Sequence, residues 1–375
     1  MMAEEYDVAV LGLGGMGSQS LLHLARQNVR VVGIDQFNPP HNHGSSHGLS
    51  RLIRMGYFEH PDYVPLIRRA FELWDSLQSE ASQSLWVSCG LLEGGPPDGV
   101  LVSGLRQAVE QYQLDLPQLS LAEVARQFPG FSLPTDWELY FESQAGFLRP
   151  ERCIEAALRF AESDGADLAV GSTIHGIQSN DRGIEIATER STIRTQKLIM
   201  TLGPWSPLWN SHIDFPIRLL HKKLLWFTTK QTHHSVEGDC PCFLFENDGQ
   251  FYYGMPTESN VGLKLARHDG GTEIQEVDEV VEATEEIESV IDFANRFFNP
   301  PLSHVESVVS CRYSMSPDEQ FVLGQSPMDQ RIHYLAGLSG HGFKFASVLG
   351  EVMADWVLSG ELCPNAEFLH RRRFG

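Results

Sequence analysis

The sequence predicts an α/β fold, α+β taken over the whole chain. Three observations carry that prediction. A strand, a glycine-rich turn, a helix and a second strand follow one another within the first 35 residues. The strand–helix alternation then breaks off at a long loop, and a strand-type run ending in Gly203-Pro204-Trp205 reappears only near residue 200. Elsewhere, short runs alternate apolar and polar residues with the period of two expected of a sheet. The expected division is a nucleotide-binding domain assembled from 1–85, 146–214 and 311–375. A substrate-binding domain, 86–145 and 215–310 with a mostly antiparallel sheet, is interleaved with it.

In chain order, "DVAVLGLG" supplies the first strand, "SQSLLHLARQ" the helix and "RVVGID" the second strand. Gly12-Leu13-Gly14-Gly15-Met16-Gly17 joins strand to helix, and Asp35 follows Gly17 by 18 residues. Gly12, Gly14 and Gly17 allow a tight turn and a close pyrophosphate. The helix start favours negative charge, and the Asp35 carboxylate suits a ribose hydroxyl. A turn that merely packs is the weaker reading, because strands, helix and acid are all in place. The motif alone fits NAD or FAD. A nicotinamide enzyme would continue the alternation straight through a six-stranded sheet, so the interruption favours a Rossmann-type FAD-binding domain built from separated segments.

The loop "QFNPPHNHGSSHGLSRLIR", residues 36–54, is too long for a simple connection and reads as functional. Asp62 to Leu77 reads as a helix: Tyr63, Leu66, Ile67, Ala70, Phe71, Trp74 and Leu77 share one face, with Pro65 in the first turn. Leu198 to Leu202 reads as a buried strand, and "FYYGMP" and "VGLKLARH" as strands covering a pocket. Glu273 to Asp292 holds nine acids and no base above a stripe of Ile287, Val290, Ile291, Ala294, Phe297 and Phe298. A solvated amphipathic helix is favoured there over a docking face for a basic partner. In "GLSGHGFKFASVLGE", residues 337–351, glycines surround His341 just before an apolar helical run. Backbone without Cβ must approach something closely. Lys344 indicates that this guest is negative.

Composition sets the bounds. Hydrophobic residues make up 42% and charged ones 21% of the 375 residues, as in ordinary globular proteins. A formal net charge of −21 argues against nucleic acid or anionic membrane as partner. The N-terminal stretch has acids where a signal peptide needs bases, and no run reaches the roughly 18 apolar residues of a membrane span. Six scattered cysteines suit a reducing, cytoplasmic setting. Cys240-Pro241-Cys242 has no second pair at zinc-ligand spacing, so no metal is expected. A monomer is expected.

The chain resembles the monomeric sarcosine oxidase and N-methyltryptophan oxidase group of flavin amine oxidases over essentially its whole length. The resemblance rests on "YDVAVLGLGGMG" with Asp35, on "PPHNHGSSHGLSRLIR", on "YYGMP" with "GLKLARH", and on "CRYSMSPDE" followed by "GLSGHGFKFASVLGE". It implies that Cys311, otherwise readable as a small buried hydrophobe, bonds to the 8α carbon of FAD. It implies that Lys264 activates oxygen, where a cation in a dry site stabilises developing negative charge. Arg54 and Lys344 match the pair that grips the substrate carboxylate, a planar fork and a point charge. Gly340 to Lys344 would face the pyrimidine edge of the flavin, and Arg51 and His47 would lie beside it. Ser45, Ser46, Ser50, Ile174, Gly203, Trp205, Tyr313, Gly342 and Phe343 complete the implied flavin contacts. Tyr253 and His268 match pocket residues, with Leu244, Phe245, Tyr253 and Met255 as candidate walls.

The implied reaction oxidises the secondary amine of an N-methyl amino acid with O2. The imine hydrolyses to free amino acid and formaldehyde, and hydrogen peroxide is released. Sarcosine, N-methyltryptophan, pipecolate and glycated amino acids all remain open as substrates. The chain departs from the family where Ser-His-His-Gly-Asp-Thr-Arg is usual: it reads Ser45-Ser46-His47-Gly48-Leu49-Ser50-Arg51, and Arg312 follows Cys311. Two rival readings are a nicotinamide-dependent dehydrogenase, and a flavin-bound module without turnover.

Overall fold

The computed structural model describes residues 5–258 and 261–375. β1 (Glu5–Leu11), α1 (Gly15–Ala25) and β2 (Val31–Asp35) form at the chain start, as their patterns require. Glycine in the turn moves the helix start three residues earlier than the apolar pattern suggests. β1 pairs in parallel with β2 on one side and with Thr192–Met200 on the other. Asp167–Val170 extends the sheet beyond β2, and Asp329–Ala336 beyond Thr192–Met200, both parallel. Segments far apart in sequence therefore complete one eight-stranded sheet.

α1 packs against the helices Pro150–Ser163 and Ala346–Ser359. Leu21, Leu22 and Leu24 join Ile154, Val348 and Leu349 in the largest apolar cluster. Gly350 allows the close crossing, since a Cβ there would lie 2.6 Å from that of Gln19.

The long loop stays irregular until β3 (Arg51–Ile53), which pairs with Gly146–Leu148 in a three-stranded sheet that also holds Trp86–Ser88. α2 (Tyr63–Ala81) runs four residues past its predicted end. Its last turn, Gln78-Ser79-Glu80-Ala81, offers no apolar residue larger than alanine, and the helix stops at Ser82 in the left-handed region (φ 48°). Phe71, expected on the buried face, is only partly covered.

A second, nine-stranded sheet is mostly antiparallel. Arg218–Phe227, Leu263–Arg267, Gln250–Met255 and Cys242–Asn247 pair antiparallel in that order, and Leu91–Gly95 joins the last of them in parallel. The helix Thr284–Phe297 covers one face through Val290, Phe293, Ala294 and Phe297. Its acidic side is not wholly solvated, as the sequence suggested. Glu286 is buried and pairs at 2.7 Å with Lys222, itself only 1% exposed. An acid in a run of acids gives no local sign that it faces inward. Among the described residues no helix is long and apolar enough to cross a membrane.

Candidate active site

One cavity runs from the glycine turn to the second sheet. At its first end Gly12 adopts φ +87°, and a Cβ there would lie 2.6 Å from the Thr201 carbonyl oxygen. Gly17 does not line the cavity. A Cβ on it would meet the Gly12 oxygen at 1.7 Å, so its role is to let α1 close on β1. Gly14 and Gly15 do line the cavity. Gly15, not singled out from sequence, donates its N–H to Ser46 Oγ (3.1 Å), and a Cβ on it would meet the Phe343 ring at 2.9 Å. Asp35 accepts from the Leu13 and Phe37 amides (2.7 and 2.8 Å), which fixes its carboxylate at the cavity edge. The helix start has no side-chain cap and no acid in its first turn. A helix N-terminus, a glycine cradle and a fixed carboxylate fit the pyrophosphate and ribose of a dinucleotide. Ile174, Gly203 and Trp205 line the same stretch.

Farther along, Ser45, Ser46, Arg51, Tyr313, Gly340, Gly342 and Phe343 surround the cavity. Gly340 sits at φ +79°, where a Cβ would be 2.2 Å from the Tyr313 ring. Arg51 donates to the Ser45 and Ser50 carbonyls, each at 2.8 Å. Behind this wall lie Cys311, Lys264, His47 and Ser50, which do not line the cavity. Cys311 is 1% exposed, with Sγ 3.8 Å from Arg51 Nη2 and 3.9 Å from the Ser45 oxygen. Lys264 Nζ donates to the Gly48 and Ser50 carbonyls, both at 2.8 Å, and lies 5.3 Å from the Trp226 ring centre. Burial, then the charge of Arg51, holds its pKa well below that of a free lysine. His47 is buried with Nε2 unpartnered, and burial followed by Arg51 and Lys264 lowers its pKa to about 3.

At the far end Arg54 is buried within a carboxylate cluster that the sequence reading missed. Its Nη2 donates to both oxygens of Glu59 at 2.7 Å, and its Nη1 to the Gly56 carbonyl. The guanidinium lies over the rings of Tyr57 and Phe58 at 4.5 and 4.9 Å. Its Nε faces Glu93 Oε1 at 3.9 Å, and neither the Nε nor the Glu93 oxygens have a hydrogen-bond partner. Burial disfavours ionisation of Glu59, yet Arg54, His341 and Lys344 hold its pKa at about 2. Burial raises Glu93 well above the usual carboxylate range. Glu142, also raised by burial, accepts the Met55 and Gly56 amides at 2.6 and 2.9 Å.

Lys344 lies beside this cluster, its Nζ donating to the His341 carbonyl at 2.9 Å. Burial, then repulsion from Arg54, brings it down to about 7. The structure thus brings Arg54 and Lys344 together, with Arg54 already engaged by an internal acid.

Leu244 and Tyr253 are register partners on neighbouring strands and both line the cavity. Phe245 does not: alternation turns it to the opposite face, against Phe131 and Phe243. Met255 packs with Leu91 and Cys242 beneath the wall. Phe58 lines the cavity instead, unforeseen because it lies in a segment without period. His268 also lines it, lowered to about 4 by burial despite the pull of Glu59. The only local sign of the hidden acids was Glu93, charged within the apolar run of Leu91–Gly95.

A family model of FAD dependent oxidoreductases matches residues 7–356. The N-methyl-L-tryptophan oxidases of Yersinia pestis and Yersinia pseudotuberculosis are each 32% identical over 354 residues, 93% of this chain and 94% of theirs. Among solved structures, L-proline dehydrogenase from P. horikoshii superposes with a TM-score of 0.85 at 19% identity, covering 100% of this chain and 98% of that one. Glycine oxidase from Geobacillus kaustophilus gives 0.82 at 17% identity, over 98% and 99%. At such identities the superpositions speak for the fold.

Proposed function

The chain belongs to the family of FAD dependent oxidoreductases, and from that premise we propose that it oxidises N-methyl amino acids at their secondary amine, using O2 and releasing hydrogen peroxide. One observation carries the reading. A single cavity joins the phosphate-binding glycine turn to the buried cations Arg54 and Lys344, between apolar walls. FAD, held by the glycine turn, Asp35 and the Gly340–Lys344 wall, would supply the two-electron redox chemistry between the amine and O2. Every other task falls to this chain.

Arg54 and Lys344 hold the substrate carboxylate, the fork by two hydrogen bonds and the lysine by its charge. An incoming carboxylate competes with Glu59 for that fork. Lys344, near 7 in the free protein, gains its proton as the anion arrives. Leu244, Tyr253, Phe58 and His268 exclude water and receive the side chain. His268 stays neutral, so it adds no charge against the amine. Such placement of reactants can contribute on the order of 7 kcal/mol or more to lowering the barrier. Lys264, held by two carbonyls, supplies positive charge where negative charge develops on oxygen. Cys311, beneath Arg51 and Ser45, is the candidate thioether link to the flavin.

Acid precipitation of the purified protein tests the link. The yellow colour is expected in the pellet, and in the supernatant for Cys311→Ser. An oxygen electrode then tests the reaction: uptake with N-methyl amino acids and formaldehyde in the product are expected. A yellow protein that consumes no oxygen with any secondary amine overturns the proposal.

A further inference from the structure

A pair of thiols outside the cavity has no part in this chemistry. Cys89 lies partly exposed just before the strand Leu91–Gly95, and Cys242 is fully buried at the start of Cys242–Asn247. Their sulfurs are 3.6 Å apart although 153 residues separate them in sequence. The surrounding backbone is fixed: the Cys242 amide donates to the Gly90 carbonyl at 3.0 Å, and Cys242 stands in register with Leu91. With one thiol just before a strand and the other on its neighbour, the sulfurs have to close from 3.6 Å to the bond length of about 2.05 Å.

We propose that Cys89 and Cys242 are a modification site for hydrogen peroxide and close to a disulfide when it reaches them. The two sulfurs differ in the way this chemistry needs. The Cys242 thiol hydrogen-bonds to Cys89 and lowers its pKa, whereas burial raises that of Cys242. The less buried member is therefore the nucleophile and the buried one resolves it. The Cys89 thiolate attacks one oxygen of the peroxide. The O–O bond breaks, hydroxide leaves and takes up the thiol proton as water, and Cys89 becomes a sulfenic acid. The Cys242 sulfur then displaces the hydroxyl from Cys89, which departs with the Cys242 proton as a second water. Two thiols and one peroxide give one disulfide and two waters. Cys240, two residues away, turns its sulfur to the Pro241 carbonyl at 3.7 Å, which leaves Cys242 as the thiol in contact with Cys89.

The bond would tie the two strands where they enter the substrate end. Leu244 and Glu93, two and four residues on, are themselves register partners there. The oxidant is the product of the reaction proposed above, yet the dithiol chemistry stands without it, because added peroxide serves equally.

Holoenzyme should be treated with hydrogen peroxide in the absence of any amine, alkylated under denaturing conditions, and mapped by peptide mass without reductant. The expected result is a cross-linked peptide joining Cys89 to Cys242, lighter by two hydrogens than its parts and released by dithiothreitol. Cys89→Ser should leave Cys242 as free thiol. Recovery of both thiols unmodified, over-oxidation of Cys89 without a cross-link, or a bond to Cys240 instead overturns the proposal. So does oxidation of Cys242 in the Cys89→Ser protein. A protein that consumes no oxygen with any amine but forms this bond would sink the oxidase reading and leave the thiol site standing.

Discussion

At Arg54 the substrate carboxylate proposed above would compete with an internal anion for one fork. Glu59 occupies both donors of Nη2, so removing its charge should free them. Glu59→Gln is expected to bind small carboxylic acids more tightly, about tenfold if the competition is worth about 1.4 kcal/mol. It should also melt at a lower temperature, because Arg54 stays buried with less compensation. Titration of the flavin absorbance and a thermal melt measure the two effects. In the proposed reaction Lys344 would set a pH limit on the same event. Its pKa in the free protein is about 7, and an anion needs the protonated form. Hence kcat/KM for a carboxylate substrate should fall as pH rises through about 7, since that ratio reports the free enzyme. Lys344→Gln should abolish this falling limb and lower kcat/KM at pH 6 by on the order of tenfold or more. Lys264→Met addresses the other half of the cycle. Oxygen uptake should fall on the order of 100-fold or more, while anaerobic bleaching by substrate is kept; equal loss of both would reject its proposed role.

Elements place these residues through close approaches that a side chain would block. The turn before Ala346–Ser359 brings Gly340 onto the face of Tyr313 at φ +79°. Gly340→Ala combines left-handed strain with a clash, a cost of about 1–3 kcal/mol from the backbone alone. It should yield protein with low flavin content, read from the ratio of visible to ultraviolet absorbance. The helix Thr284–Phe297 is held to the strand Arg218–Phe227 by its apolar stripe and by the Lys222–Glu286 pair. Glu286→Ala strands a buried ammonium and should destabilise by about 3–5 kcal/mol. Lys222→Met combined with Glu286→Leu should recover much of that loss. Denaturant melts of the single and double variants decide between a pair that stabilises and one that only compensates.

Across the whole molecule, buried histidines couple stability to pH. His47 and His341 sit near 3 and His333 near 4, each lowered chiefly by burial. The unfolded chain binds their protons near pH 6.5, so the unfolded state holds more protons below that value. Stability is therefore complete above about 6.5 and falls as pH drops toward 3, by up to about 2 kcal/mol for each such group at pH 5. A melting temperature at pH 5 equal to that at pH 7 would contradict this. Local pattern by itself determined the glycine turn with Asp35, the amphipathic face of α2, the strand that carries Tyr253, and the broken sheet that favoured FAD. Those features repeat or neighbour one another along the chain, so periodicity and turn chemistry expose them. Only the tertiary structure decided that Glu59, Glu93 and Glu142 converge on Arg54, that Phe245 turns away from the cavity, that Glu286 is buried, and that Cys89 touches Cys242. Glu59 lies five residues from Arg54 in a segment without period, and the other contacts join strands, loops and a helix 39 to 153 residues apart. Apart from Glu93, charged within an apolar run, these acids carry no local mark until their partners are in place.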